Sequence, residues 1–212
     1  MSPDPRSSYF VTCAPGIEPL LHEELKALRL SRVERQVGGV YFVGDAADAM
    51  RANLPLRTAL RVLRRVARFE AQDAEALYAG ASAVDWRPFL PAGGTLLVAA
   101  HSRDSRLDHT LFVEQRTKDA VVDQLRERRG ERPGVDKDAP DLLVHAHLFR
   151  DRCTLLVDTS GASLHKRGWR VFQGRAPLAE TLAAAVVLLS GWDRRSPLVD
   201  PFCGSATLLV EA

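Results

Sequence analysis

The order of residues predicts a mixed α/β protein, and three observations carry that reading. Helical-period and strand-period segments alternate along the chain, short turns join several of the strands, and the final stretch couples an apolar run ending in an acid to a small-residue loop and a helix start. With 212 residues, 46% of them hydrophobic, the chain can bury a core large enough for one large or two small domains.

Each element follows from a local signal. Tyr9 to Cys13 alternates as a short strand, and Ile17, Leu20, Leu21, Leu25 and Leu28 then recur at helical spacing, with Pro19 tolerable in the first turn. Val33 to Val37 and Val40 to Val43, separated by Gly38-Gly39, predict a hairpin, and Ala46 to Met50 resumes a helical pattern. Further on, the spacing predicts a helix over Asp73 to Ala83, a strand over Thr95 to Ala100, and a long helix over Thr110 to Arg129 with Val113, Ala120, Val121 and Leu125 inward, stopped by Gly130. Leu142 to Phe149 and Thr154 to Asp158 read as two strands joined by Arg150-Asp151-Arg152. Past Ser160-Gly161 the chain is basic and irregular. Pro177 then opens a helix through Leu178, Leu182, Val186 and Leu189 that ends at Gly191. Pro197 to Asp200 reads as a buried strand, Pro201 to Thr207 as a tight loop, and Leu208 to Ala212 as a helix start.

Composition excludes several classes. The chain has no run of about eighteen apolar residues, and its start lacks the apolar core of a signal peptide, so neither a membrane span nor a leader is expected. Cys13, Cys153 and Cys203 are scattered and odd in number, with no C-x-x-C spacing, which argues against a disulfide framework or a zinc site. Reduced thiols in the cytoplasm are the expectation, with no metal.

Net charge is only +2, from 29 basic and 27 acidic residues, so attraction for nucleic acid must come from local patches. One patch holds Arg51, Arg57, Arg61, Arg64, Arg65 and Arg68 with no acid among them. Leu56, Leu60 and Leu63 fit the apolar stripe of a helix there, its arginines either a solvated face or a phosphate-binding one. The other patch sets Trp169 and Phe172 among Lys166, Arg167, Arg170 and Arg175. Flat rings beside cations suit stacked bases and phosphates of single-stranded RNA, while a basic interdomain linker with two half-buried aromatics is the plainer reading.

A strand running into Asp200, then Gly204, Ser205 and Ala206, then a helix start is how a doubly wound domain opens its nucleotide crevice, because small residues let a ligand approach backbone at the helix terminus. A carboxylate at the strand end suits a cationic or hydroxyl-bearing ligand, which favours S-adenosylmethionine over a dinucleotide. Neither the dinucleotide fingerprint nor the P-loop pattern is present.

Three runs then take on a specific likeness: Leu164 to Arg170, Ala176 to Ala185, and Asp200 to Ala212. Together with Gly38 to Phe42, Val113 to Ala120, Arg132 to Asp136 and Leu156 to Gly161, they resemble the THUMP-containing RNA methyltransferases, and in particular the bacterial enzymes that make N2-methylguanine in large-subunit (23S) ribosomal RNA. The resemblance implies a ferredoxin-like part over residues 1–46, a THUMP RNA-binding domain over 47–158, a basic linker and helix over 159–192, and over 193–212 the first strand, loop and helix of a Rossmann-like methyltransferase domain. It implies that Asp200, Pro201, Phe202, Cys203, Gly204, Ser205, Ala206 and Thr207 line S-adenosylmethionine, with Glu180 and Thr181 beside it. Lys166, Arg167, Trp169 and Arg170 would lie near the domain junction, and the arginines at 57, 61, 64, 65 and 68 would contact RNA phosphates. Ala206 stands where the family usually has a second glycine, Ala179 where it has lysine, and Trp169 where it has tyrosine. The ribose-binding acid and the Asn-Pro-Pro-Tyr-like loop of the family have no counterpart in the sequence, so the resemblance assigns no catalytic residue here and implies a chain inactive by itself. The alternative is a stand-alone THUMP RNA-binding module.

Other tempting residues have plainer readings. His22-Glu23-Glu24 lacks the second histidine of a zinc-protease helix, since Lys26 occupies that position, and reads as a solvated helix face. His145 and His147 share one face of a strand, expected to be an exposed sheet face. Cys203 has no histidine placed to activate it.

Overall fold

The computed structural model describes residues 6–130, 132–169 and 178–212. The expectations placed on Arg170, Phe172, Arg175 and Pro177 fall outside the described residues. The chain divides into two compact units, one formed by residues up to Val62 together with those from Ala162 onward, the other by Leu63–Gly161.

In the first unit, β1 (Ser7–Thr12) pairs antiparallel with β3 (Gly39–Gly44), which forms a hairpin with β2 (Ser31–Gln36). Alternation puts Tyr9, Val11, Val40 and Phe42 on one face, all buried, and the rings of Tyr9 and Phe42 stack with centroids 4.9 Å apart. On the other face Phe10 meets Tyr41 at 4.6 Å. The tight β1/β3 approach requires glycine at position 39: a Cβ there would stand 2.1 Å from the Val11 carbonyl oxygen. The helix α1 (Glu18–Ala27) lays Leu21 and Leu25 into the same core, and α2 (Ala46–Asn53) adds Ala49 and Ala52 behind a capping box of Asp45 and Asp48. The far side of β1 takes the start of β4 (Arg61–Glu70), where the Leu60 N–H donates to the Thr12 carbonyl at 2.7 Å. Ala185 of α5 (Glu180–Leu189) is wholly buried in this core.

The second unit orders its strands β4-β7-β6-β5, with β5 at Leu96–Arg103, β6 at Leu142–Phe149 and β7 at Arg152–Asp158. The β5/β6 pair is parallel, so its connection must cross over the sheet, and α4 (Thr110–Arg129) makes that crossing. One face of this sheet packs on α3 (Ala74–Ser82) and α4: Leu77, Val113, Ala120, Val121 and Leu125 meet Leu96, Val98, Val144, Ala146 and Leu155. Trp86 fills the end of this core, fully buried, with its indole N–H donating to the Ala81 carbonyl at 2.9 Å.

Three expectations change. Leu56, Leu60 and Leu63 do not form a helix stripe, because α2 ends at Asn53 and residues 61–70 extend as β4 to pair with β7. Pro197 to Asp200 adopts no strand, and Val199 is 79% exposed rather than buried, since a strand needs a partner and none pairs with it among the described residues. The helical stripe Leu182, Val186 and Leu189 faces outward, and α5 buries Ala183, Ala184, Ala185 and Val187 instead. No described helix is long and apolar enough to cross a membrane.

Candidate functional site

The loop at residues 200–207 is held by its own backbone. The Asp200 carboxylate accepts from the Phe202 N–H at 3.0 Å, and the Ala206 N–H donates to the Cys203 carbonyl at 2.7 Å. Gly204 (φ 52) and Ala206 (φ 60, ψ 25) both lie in the left-handed region, and Ala206 is the N-cap of the single-turn α6 (Thr207–Val210). An L-residue there is strained by its Cβ, which gives a physical reason for the glycine expected at this position. Thr207 is buried, with its hydroxyl 3.3 Å from that of Ser205, whereas the Phe202 ring is 94% exposed and the Cys203 thiol faces solvent. Glu180 and Thr181 are buried in the first turn of α5, which packs on α6. The loop thus offers one carboxylate, Asp200, for a cationic or hydroxyl-bearing ligand and bare backbone at Gly204, with Glu180 a second acid on α5, a set that fits S-adenosylmethionine.

The basic residues fall in both units, and within the second unit Arg64 lies on the opposite sheet face from Arg65 and Arg68. Arg64 lies opposite Val157 in the register, on the helix-covered face of the second unit, where its guanidinium stacks 5.4 Å from the Phe89 ring centre. Arg65 and Arg68 lie opposite Leu156 and Thr154, on the other face, with Arg68 exposed. Arg61 belongs to the first unit and is half-buried. Lys166 is exposed, and Trp169 is half-buried.

Arg57 and Arg167 are engaged with Glu211, a residue in the expected helix start for which the sequence suggests no role of its own. Its side chain is only 5% exposed; the Arg167 Nε stands 2.8 Å from one carboxylate oxygen and the Arg57 Nε 3.6 Å from the other. The Arg167 N–H is poorly aligned with that oxygen, so this contact is an ion pair more than a directed hydrogen bond. Arg167 also donates through Nη2 to the Arg57 carbonyl at 2.7 Å. Glu24 was missed as well. It is not on a solvated helix face: its carboxylate turns inward and accepts from the Arg57 N–H at 2.8 Å, the Thr58 N–H at 3.1 Å and the Thr58 hydroxyl. No local pattern could reveal either acid, because their partners come from distant segments.

His145 and His147 do share one face of β6, and His101 of β5 joins them, with adjacent ring centres 6.1 Å apart. That face is half-buried at the β6 histidines rather than exposed. Burial, followed by the neighbouring His145 and His101, pushes the His147 pKa down to about 4. His145 has Asp158 at 3.7 Å. Burial pushes the thiols of Cys13 and Cys153 up to about 12, which leaves them inert as nucleophiles.

Comparison with known families matches this arrangement along the chain. The description "RlmL ferredoxin-like domain" matches residues 8–63, "THUMP domain" residues 71–158, and "RMKL-like, methyltransferase domain" residues 167–212. In class, then, the chain is similar to THUMP-domain proteins, its THUMP match lying in sequence between a ferredoxin-like match and a methyltransferase match. More particularly, the chain matches part of the proteins named ribosomal RNA large subunit methyltransferase K/L. It is 48% identical over 207 residues to the one from Pseudomonas paraeruginosa and 46% identical over 208 residues to the one from Syntrophotalea carbinolica, in each case 96% of this chain and 29% of the relative. The chain therefore spans less than a third of the length of these relatives. Among solved structures it is similar to one described as an N6-adenine-specific DNA methylase from Listeria monocytogenes (TM-score 0.88, 36% identity, 98% of this chain and 54% of that one). Another is a methyltransferase complexed with SAH (TM-score 0.85, 34% identity, 100% and 55%), and a third is TrmN from Thermus thermophilus (TM-score 0.75, 26% identity, 96% and 60%).

Proposed function

We propose that this chain is the RNA-holding portion of an S-adenosylmethionine-dependent methyltransferase acting in the cytoplasm on a guanine N2 amine of large-subunit ribosomal RNA. The observation that supports it most directly is the Asp200 to Thr207 loop, closed by left-handed turns onto the buried Thr207, within sequence that matches a methyltransferase family. When bound, S-adenosylmethionine supplies a methyl group on a sulfonium for in-line transfer to an exocyclic amine. The residues proposed to hold it are Asp200 and Glu180, as acids for its amino and hydroxyl groups, with Gly204 and Ser205 giving close backbone approach. Arg61, Arg65, Arg68 and Lys166 are proposed to meet RNA phosphates. An unpaired, unstacked base would be needed for its amine to reach the methyl group, which a separate RNA-holding domain makes feasible. Complete transfer is proposed to need sequence of the kind that the longer relatives carry.

Titrating RNA and S-adenosylmethionine separately tests this. With about four phosphate contacts, log affinity for single-stranded RNA should fall with log salt at a slope near −3. Salt-sensitive RNA binding with weakened binding in Arg65→Ala/Arg68→Ala supports the reading. Absence of RNA binding refutes the RNA-holding role, and RNA binding unaffected by those substitutions refutes the assigned surface.

A further inference from the structure

A carboxylate as buried as that of Glu211 is costly unless compensated, and the compensation here comes from two separate stretches of chain. Arg57 follows α2, in the segment that leads into β4. Arg167 lies more than a hundred residues later, just after Leu164 packs against the first unit's core. Both guanidiniums converge on one acid, at 3.6 and 2.8 Å, and Arg167 closes the ring by donating to the Arg57 carbonyl. Arg57 itself is not loose: Glu24 of α1 grips its backbone N–H and that of Thr58. Glu211, for its part, is one turn from Thr207, whose carbonyl accepts the Glu211 N–H at 3.0 Å, and Ala206 closes the same turn through the Val210 N–H at 2.9 Å. A continuous polar path therefore runs from α1 through Arg57 and Glu211 to the end of the 200–207 loop.

We propose that Arg57, Arg167 and Glu211 form an ionic latch that positions this loop, holding α6 against the ferredoxin-like core so that the loop keeps one conformation. The three are positioning residues, acting on the ligand only through the loop. In calling that ligand S-adenosylmethionine the inference rests on the proposed function, but the latch itself is independent of any ligand. Two arginines share Glu211, and the Glu24 carboxylate at the Arg57 backbone offsets the second cation. Arg57 and Arg167 are therefore committed to Glu211 first, and any RNA phosphate must approach them from outside the pair.

The test is amide exchange by NMR on the 212-residue chain without ligand, comparing wild type with Arg167→Ala, Glu211→Gln and Arg167→Lys. Breaking a buried ion pair on one side should speed exchange at the Val210 and Glu211 amides by on the order of 100-fold. The Val11 and Val40 amides of β1 and β3 should keep their protection, and Arg167→Lys should recover part of the loss. A dye on Cys203, the exposed thiol of the three, should lose anisotropy in Arg167→Ala and Glu211→Gln. Unchanged exchange at Val210 and Glu211 would overturn the latch. So would an equal loss across β1 and β3, which would make these residues general stabilisers. Because no arm uses cofactor or RNA, failure here is distinguishable from failure of the proposed function.

Discussion

Replacing His147 with glutamine should flatten the acid side of the second unit's stability curve. His147 projects from β6 between His101 on β5 and Thr154 on β7, with His145 two residues away and Arg68 of β4 opposite Thr154. Its pKa falls from the ordinary 6.5 to about 4, by burial first and then by His145 and His101. The folded protein therefore resists a proton that the unfolded chain accepts, so stability is full above about pH 6.5 and drains away as pH falls towards 4. The whole shift corresponds to about 3 kcal/mol, and about 2 kcal/mol of it is lost between pH 7 and 5. Urea unfolding followed at the β6 and β7 amides should show that loss in wild type and not in His147→Gln. The difference between the two proteins reports this histidine together with its coupling to His145 and His101. Parallel losses in the two, or a His147 ring signal that titrates near 6.5, would refute the argument.

Two further outcomes follow from backbone and burial. Ala206→Gly removes a left-handed strain of roughly 1–2 kcal/mol, partly offset by the glycine's unfolded-state entropy, and should slow exchange at Val210 several-fold; faster exchange would contradict the strain. Glu24→Ala strands three donors at Arg57 and Thr58 and should destabilise the first unit by about 3 kcal/mol, read as a lower urea midpoint at the β1 and β3 amides with β6 and β7 unmoved; an unchanged midpoint would mean water replaces the carboxylate.

Where one face of an element is buried against its sequence neighbours, the residue pattern was sufficient. The helix over 110–129 and the strand over 142–149 stand where periodicity puts them, since their spacing and caps are local properties. β4 was misjudged for the opposite reason. Leu56, Leu60 and Leu63 satisfy a helical spacing, but the segment's conformation is decided by β7, whose Arg152 pairs with Glu70 82 residues earlier. The turn before Thr207 was legible as a turn because its small residues are consecutive and its conformation is local. The latch beside it was not: Glu211 looks like any helix-end glutamate until Arg57 and Arg167 are brought to it. The His22-Glu23-Glu24 run shows the same limit, as sequence cannot tell which glutamate turns inward.

The distance between β4 and β7 also bears on how the chain survives its own synthesis. At roughly 5–20 residues per second, β4 emerges some 4 to 16 s before the strand that will cover its edge. Val62, Leu63, Val66 and Phe69 would make such a waiting segment sticky, ready to pair with another nascent chain. Arg61, Arg64, Arg65 and Arg68 interrupt it at intervals too short for a continuous apolar edge. Arginines spaced this way are placed to act as gatekeepers against aggregation during synthesis, and neutralising them should harm yield before it harms the folded structure.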